Sequence, residues 1–151
     1  MNKKKAVTVA AALICLTAVL AVIHLSTRHK VPEGSLEIQY EGKSIYADTD
    51  GLEMVQVRGT TINGKGEEKE IDTTGVTISD VLKDAGIETG NIESLSVFSD
   101  DEYSATLTGD EITVPDKAFL VREDDGSLRL IVFGDTDSKR NVKNVVRIAI
   151  Q

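Results

Sequence analysis

The stretch GVTISDVLKDAG, residues 75–86, decides the fold class. Thr77 is a good N-cap, Asp80 stands three residues later as a capping partner, and apolar side chains then recur at helical spacing. Gly86 ends the pattern, because glycine readily adopts the left-handed conformation that closes a helix. The stretch predicts one clear helix over about 77–86, with one face packed on a sheet.

Upstream of this helix the sequence predicts two hairpins. Residues 36–47 alternate apolar and polar side chains around the turn residues Glu41-Gly42-Lys43. Residues 54–73 form a second pair of strands, and Asn63-Gly64-Lys65-Gly66 is their turn. The second pair is polar enough to be an exposed ribbon.

Downstream, short strands and one further helical turn are expected. Thr108 with Glu111 in the reciprocal position predicts a short turn of helix. Clusters of Asp, Gly or Ser separate five strand-like runs: 93–98, 103–107, 118–122, 128–133 and 142–150. The sequence therefore predicts an α+β fold with a β-rich mixed sheet and one clear helix.

The N-terminal segment has a different character. Residues 6–25 are apolar except for two threonines and one histidine, and at ~1.5 Å per residue they just span a ~30 Å hydrocarbon core. Lys3-Lys4-Lys5 precedes them, which favours a cytoplasmic N-terminus. The segment predicts a transmembrane signal-anchor, membrane contact through residues 6–25 and a single-pass cell-membrane protein with its C-terminal domain outside. A secreted protein cleaved near Ala21 is the alternative.

This pattern divides the chain into three parts. Residues 1–30 are the anchor and its flank, residues 31–35 are a tether with Pro32 and Gly34, and residues 36–151 are an extracytoplasmic domain.

Negative charge is concentrated after residue 30. Residues 31–151 hold 12 lysines and arginines against 25 acidic residues, a net charge of −13. Such a field repels phosphate backbones, so no nucleic-acid partner is expected. The expected partner is an unidentified membrane or extracytoplasmic protein.

Residues 31–151 also contain no cysteine and no histidine, because Cys15, His24 and His29 all precede them. Thiolate nucleophiles, histidine-based triads, and zinc or iron sites built on these side chains are therefore excluded there. We predict no catalytic residue and no metal ligand, which favours a role other than that of an enzyme.

A basic group near the C-terminus has two interpretations. It consists of Lys139, Arg140, Lys143 and Arg147. It is either a site for an anionic ligand or the solvent-facing side of a last strand, and spacing alone favours the strand.

Several segments together resemble the sulfite-oxidase-like molybdopterin-binding domain family. They follow the family's order over roughly residues 36–150. Residues 75–86 resemble a family helix, and residues 99–104 and 118–121 resemble two of its strands. Residues 128–134 resemble its arginine-bearing strand, and residues 138–148 resemble the basic segment that leads into its last strand. The resemblance implies a mixed α/β fold with a large mixed sheet.

The resemblance also implies a ligand site. Arg129, Arg140 and Lys143 match positions that lie near the pterin phosphate in the family, where such side chains offer charge-assisted bonds. The family's enzymes bind molybdenum through a cysteine, which residues 55–60 lack, and Asn144 stands where the family has tryptophan. No cofactor is therefore expected, although molybdopterin is the one that the resemblance would supply.

Three functions follow from this comparison. The first is a cofactor-free binding or scaffold module. An alternative is a redox accessory protein that binds a pterin or another phosphorylated ligand at the three basic residues. A third is an accessory subunit that docks through sheet edges or its acidic face to a membrane complex.

Overall fold

The computed structural model describes residues 3–27 and 31–151, with side chains for residues 9–23 and 31–151. The chain divides into two compact units between residues 30 and 31, and each unit is described by itself.

The first unit contains helix α1 (Lys3–Thr27). Its side chains are described from Val9 to Ile23, and these are exposed. Among the described residues, no helix is both long enough and apolar enough to cross a bilayer. The predicted transmembrane segment and the single-pass location with an outside domain are therefore wrong. Membrane contact through residues 6–25 stays a prediction. The predicted basic flank lies outside the described side chains: Lys3, Lys4, Lys5, Arg28 and Lys30.

The second unit contains nine strands, two short helices and a 3₁₀ turn over Thr89–Asn91 within residues 31–151. The strands are β1 (Ser35–Tyr40), β2 (Lys43–Asp48), β3 (Val55–Ile62), β4 (Glu68–Thr77), β5 (Ser94–Ser99), β6 (Ser104–Thr108), β7 (Ala118–Arg122), β8 (Leu128–Val132) and β9 (Val145–Ile150). The helices are α2 (Ile78–Asp84) and α3 (Gly109–Thr113).

The strands form two sheets. Sheet A has the order β2-β1-β9-β5-β6 and sheet B the order β3-β4-β7-β8. All neighbouring strands are antiparallel except β1 and β9, which are parallel. The predicted strand-rich α+β class is confirmed. The expectation of one mixed sheet is corrected to two sheets, because the choice of strand partners depends on long-range packing that no local pattern specifies.

The first hairpin follows from its turn residues. Glu41 and Gly42 both have positive φ, 50° and 74°, as the two-residue turn that matches the twist of paired strands requires. Tyr40 pairs with Lys43 across this turn. The predicted hairpin is confirmed.

Helix α2 is bounded by the residues that the sequence indicated. The Thr77 hydroxyl accepts a hydrogen bond from the Asp80 N–H at 3.0 Å. Gly86 has φ 77°, and Gly86 and Ile87 donate to the carbonyl oxygens of Lys83 and Leu82 at 2.9 and 2.8 Å. These two bonds form a Schellman motif, so the predicted helix is confirmed.

Helix α3 begins with a complete capping box. The Thr108 hydroxyl accepts from the Glu111 N–H, and the Glu111 carboxylate accepts from the Thr108 N–H at 3.1 Å. The first helical residue is Gly109, where a Cβ would lie 2.0 Å from the carbonyl oxygen of Ile92. Only glycine fits so close to a neighbouring backbone.

One apolar core joins the inward faces of both sheets with α2. Leu36, Leu95 and Ile148 contribute to it from sheet A, and Leu120 and Leu130 from sheet B, and all five are completely buried. Leu36 and Ile38, which alternate along β1, both lie in this core, as the predicted hairpin indicated.

A second, smaller core lies on the other face of sheet B. Val57 and Ile71 of the β3–β4 ribbon pack with Phe119, Val121, Ile131 and Phe133. The ribbon thus folds over β7 and β8, and a Cβ at Gly59 would lie 2.6 Å from the Phe133 ring. The ribbon is exposed on one face only, because its other face covers this cluster.

The chain after β8 forms a loop instead of an early last strand. Strand β9 begins at Val145, three residues later than the predicted start at Val142. Val142 is completely buried, and its carbonyl oxygen accepts a hydrogen bond from the Leu130 N–H at 2.8 Å. This loop carries Arg140 and Lys143.

Candidate functional site

Arg140 lies in the loop after β8 and is held by two carboxylates. Its Nε donates to Asp135 Oδ2 at 2.8 Å and its Nη2 donates to Asp135 Oδ1, which is a bidentate contact. Its Nη1 donates to Glu111 Oε2 at 2.8 Å. Lys117 lies on the other side of Glu111, with Nζ 3.9 Å from Oε1. We call this cluster of Arg140, Asp135, Glu111 and Lys117 the carboxylate clasp.

The clasp fixes the charges of Glu111 and Arg140. The hydrogen bond from Arg140 is the largest cause that lowers the pKa of Glu111 to about 2. The bonds to Asp135 and Glu111 in turn raise the pKa of Arg140 above its ordinary value. Charge-assisted bonds of this kind are stronger than neutral ones. The clasp therefore fastens the loop to α3 and keeps the guanidinium donors engaged.

Arg129 lies on β8, on the face of sheet B that carries Ile131. Its Nη1 is 3.4 Å from Glu123 Oε1. Its Nε is buried and has no hydrogen-bond partner among the described residues. The side chain borders an open depression together with Glu123 and Asp124.

Lys143 lies in the loop before β9 and borders a different depression. That depression is lined by Glu123, Asp124, Asp125, Ser127, Lys143 and Asn144. The Ser127 hydroxyl donates to Asp125 at 2.6 Å, and this bond lowers the pKa of Asp125. Lys143 therefore lines this depression together with three carboxyl groups.

The structure brings together only part of the basic site that the resemblance implied. Arg129 and Lys143 border depressions that share Glu123 and Asp124, whereas Arg140 lines neither of them and is bound in the clasp. A phosphate at this place would compete with Asp135 and Glu111 for Arg140. It would also meet the negative charge around Lys143.

These residues do not fit the pterin phosphate of molybdopterin. Arg140 is bound by Asp135 and Glu111, Arg129 is paired with Glu123, and Lys143 lines a depression that also holds three carboxyl groups. The chain also offers no thiolate to molybdenum after residue 30. Within the described residues, no cluster of three or more His, Cys, Asp or Glu side chains could hold a metal ion.

Sequence reasoning named Arg140 and Arg147 but missed the side chains that hold them. Glu111 was identified only as a capping residue, and Asp135 was not singled out. Arg147 was taken as solvent-facing, but its guanidinium lies 4.3 Å from the centre of the Phe98 ring and its Nη2 donates to Glu102 at 2.8 Å. The register of Phe98 opposite Arg147 explains this contact, and no local signal predicts that register.

Comparison with protein-family models finds no match for this chain. A search of curated proteins also finds no significant match.

Proposed function

We propose that the second unit is a cofactor-free binding module, a degenerate relative of the sulfite-oxidase-like molybdopterin-binding domains that holds no catalytic molybdenum. The carboxylate clasp carries this proposal. In it the arginine that the resemblance assigns to a phosphate is instead bound by Asp135 and Glu111, so its role is to hold the loop in place.

Two further observations support a binding role. Residues 31–151 contain no histidine and no cysteine, which removes imidazole acid-base groups, thiolate nucleophiles and the soft metal ligands. Their net charge of −13 favours association with basic partners. The order of the helix, the arginine-bearing strand and the last strand supports kinship with the family, and the missing thiolate supports loss of its chemistry.

The test is direct analysis of the purified full-length chain for cofactor. We would express it in a host that makes molybdopterin and measure molybdenum by mass spectrometry and oxidised pterin by fluorescence. A molybdenum enzyme from the same cells, processed in parallel, controls for cofactor supply. We expect neither molybdenum nor pterin in the chain when the control enzyme is loaded.

Stoichiometric pterin in the chain would refute the proposal and favour the redox accessory role. In that case Lys143→Ala and Arg129→Ala should lower the pterin content, and Glu88→Gln, an exposed change elsewhere on the surface, should not.

A further inference from the structure

The outer edge of β3 carries unpaired backbone groups. Strand β3 pairs only with β4 among the described strands. The Asn63 N–H donates to the Glu67 carbonyl oxygen at 2.9 Å, and the register continues without a shift from Ile62–Glu68 to Val55–Gly75. Hydrogen-bonded and non-hydrogen-bonded pairs alternate in such a ladder. The N–H and C=O groups of residues 56, 58 and 60 therefore point away from β4.

Two other sheet edges are partly occupied by the chain itself. The Leu130 N–H of β8 donates to Val142, and the Thr106 carbonyl of β6 accepts from Arg140 at 3.5 Å. Of the remaining edges, β3 has 8 residues and β2 has 6. The edge of β3 is thus the longest one available, and its side chains Gln56, Arg58 and Thr60 are exposed.

The face beside this edge is acidic. Register places Asp72 beside Arg58, Glu70 beside Thr60 and Glu68 beside Ile62. Arg58 forms an ion pair with Asp72, with Nε 3.2 Å from Oδ2. No cation among the described residues pairs with Glu68 or Glu70, so the row keeps an excess of negative charge.

We propose that the free edge of β3 binds an extended segment of a basic partner protein, with lysine or arginine at alternate positions. This inference rests on the proposed function and names the docking surface of the module. An added strand would lie ~4.8 Å from β3 and ~9.6 Å from β4. The Thr60 side chain is short. A lysine of the added strand that stands opposite Thr60 therefore extends across it and brings its ammonium group to Glu70.

Charge selects this occupant over a second copy of the chain. Two copies would each bring a net charge of −8 and would repel each other. A basic strand gains main-chain hydrogen bonds from the edge and specificity from its alternate side chains, as in other cases of strand addition.

The experiment uses three synthetic peptides and the full-length chain. The first peptide is Thr-Lys-Val-Lys-Thr-Lys-Val-Lys, the second has glutamate in place of lysine, and the third is the lysine peptide with alternate backbone amides methylated. The third peptide keeps the charge but loses the hydrogen bonds of one edge. Fluorescence anisotropy gives the affinity, and amide hydrogen exchange followed by NMR locates the contact.

We expect the lysine peptide to bind at least about tenfold more tightly than either of the others. Its binding should slow exchange at Gln56, Arg58 and Thr60. Thr60→Pro should weaken binding by a similar factor, because proline removes only an outward N–H, whereas Thr60→Ala should not. Thermal unfolding of both variants verifies that they fold.

Equal affinity for the lysine peptide and its methylated form would overturn the inference, since charge alone would then explain binding. Absence of binding at millimolar peptide, or protection confined to β2, would overturn it as well. None of these results affects the cofactor analysis, so failure of the docking surface is distinguishable from failure of the proposed function.

Discussion

Replacing Glu111 with glutamine tests the carboxylate clasp. Glutamine has nearly the same size as glutamate, and it also serves at the third position of a capping box. The substitution therefore keeps the cap at Thr108 while it removes the negative charge that holds Arg140. The measured change in stability then reports on the charge itself.

The structure sets the expected magnitude. The pKa of Glu111 falls from its ordinary 4.5 to about 2, and at about 1.36 kcal/mol per pH unit this corresponds to roughly 3 kcal/mol. The Glu111 side chain is 21% exposed, so screening by solvent reduces the expected loss to about 1–2 kcal/mol.

The dependence on pH has a definite sign. The pKa of Glu111 is lower in the folded chain than in the unfolded chain. Its contribution to the free energy of unfolding is therefore complete above about pH 5 and is lost as the pH falls towards 2. The difference between wild type and Glu111→Gln should shrink by more than half from pH 6 to pH 3.

Urea unfolding at several pH values measures this difference. Tyrosine fluorescence is a suitable signal, because Tyr40, Tyr46 and Tyr103 all belong to the second unit. Glu88→Gln is the matched control, since Glu88 is exposed and caps no helix through its side chain; its cost should stay below about 0.5 kcal/mol. Equal losses in the two variants, or a difference that does not change with pH, would refute the reasoning.

Three further substitutions test the packing. Gly109→Ala should lower the free energy of unfolding by about 2–4 kcal/mol, because the added Cβ meets a backbone oxygen. Gly90→Ala, with open space around it, is the control and should cost under about 1 kcal/mol. Similar thermal midpoints for the two variants would contradict this prediction. Gly59→Ala should lower the free energy of unfolding in urea by about 1–2 kcal/mol, and adding Phe133→Leu to the same chain should recover part of the loss. If the double variant lost the full sum of the two single losses, the Phe133 ring would not be the obstacle. Thr77→Ala should cost about 1 kcal/mol through loss of the cap, and an unchanged urea midpoint would count against the capping bond.

Sequence alone predicted the features that depend on a few neighbouring residues. The positive φ angles at Glu41 and Gly42, the cap at Thr77 and the left-handed Gly86 are all properties of the local backbone. Each of these features was therefore predictable from the residue types in one short stretch. The α+β class followed from the same local signals.

Features that depend on distant partners were not predictable. Glu111 and Arg140 are 29 residues apart, and nothing near either residue indicates the other. The same applies to the Phe133 ring against Gly59 and to the separation of the strands into two sheets. The basic residues were found in sequence, but their carboxylate partners decide what they do, and those partners come from other elements.

The position of β9 has a consequence for synthesis of the chain. This strand is inserted between β1 and β5, so sheet A stays in two pieces until residues 145–150 have left the ribosome. Until then the nascent hairpins β1–β2 and β5–β6 each present an open strand edge, and closing the sheet brings together segments more than 100 residues apart. Such non-local pairing is slow, and it leaves these edges exposed to aggregation until the last strand is in place.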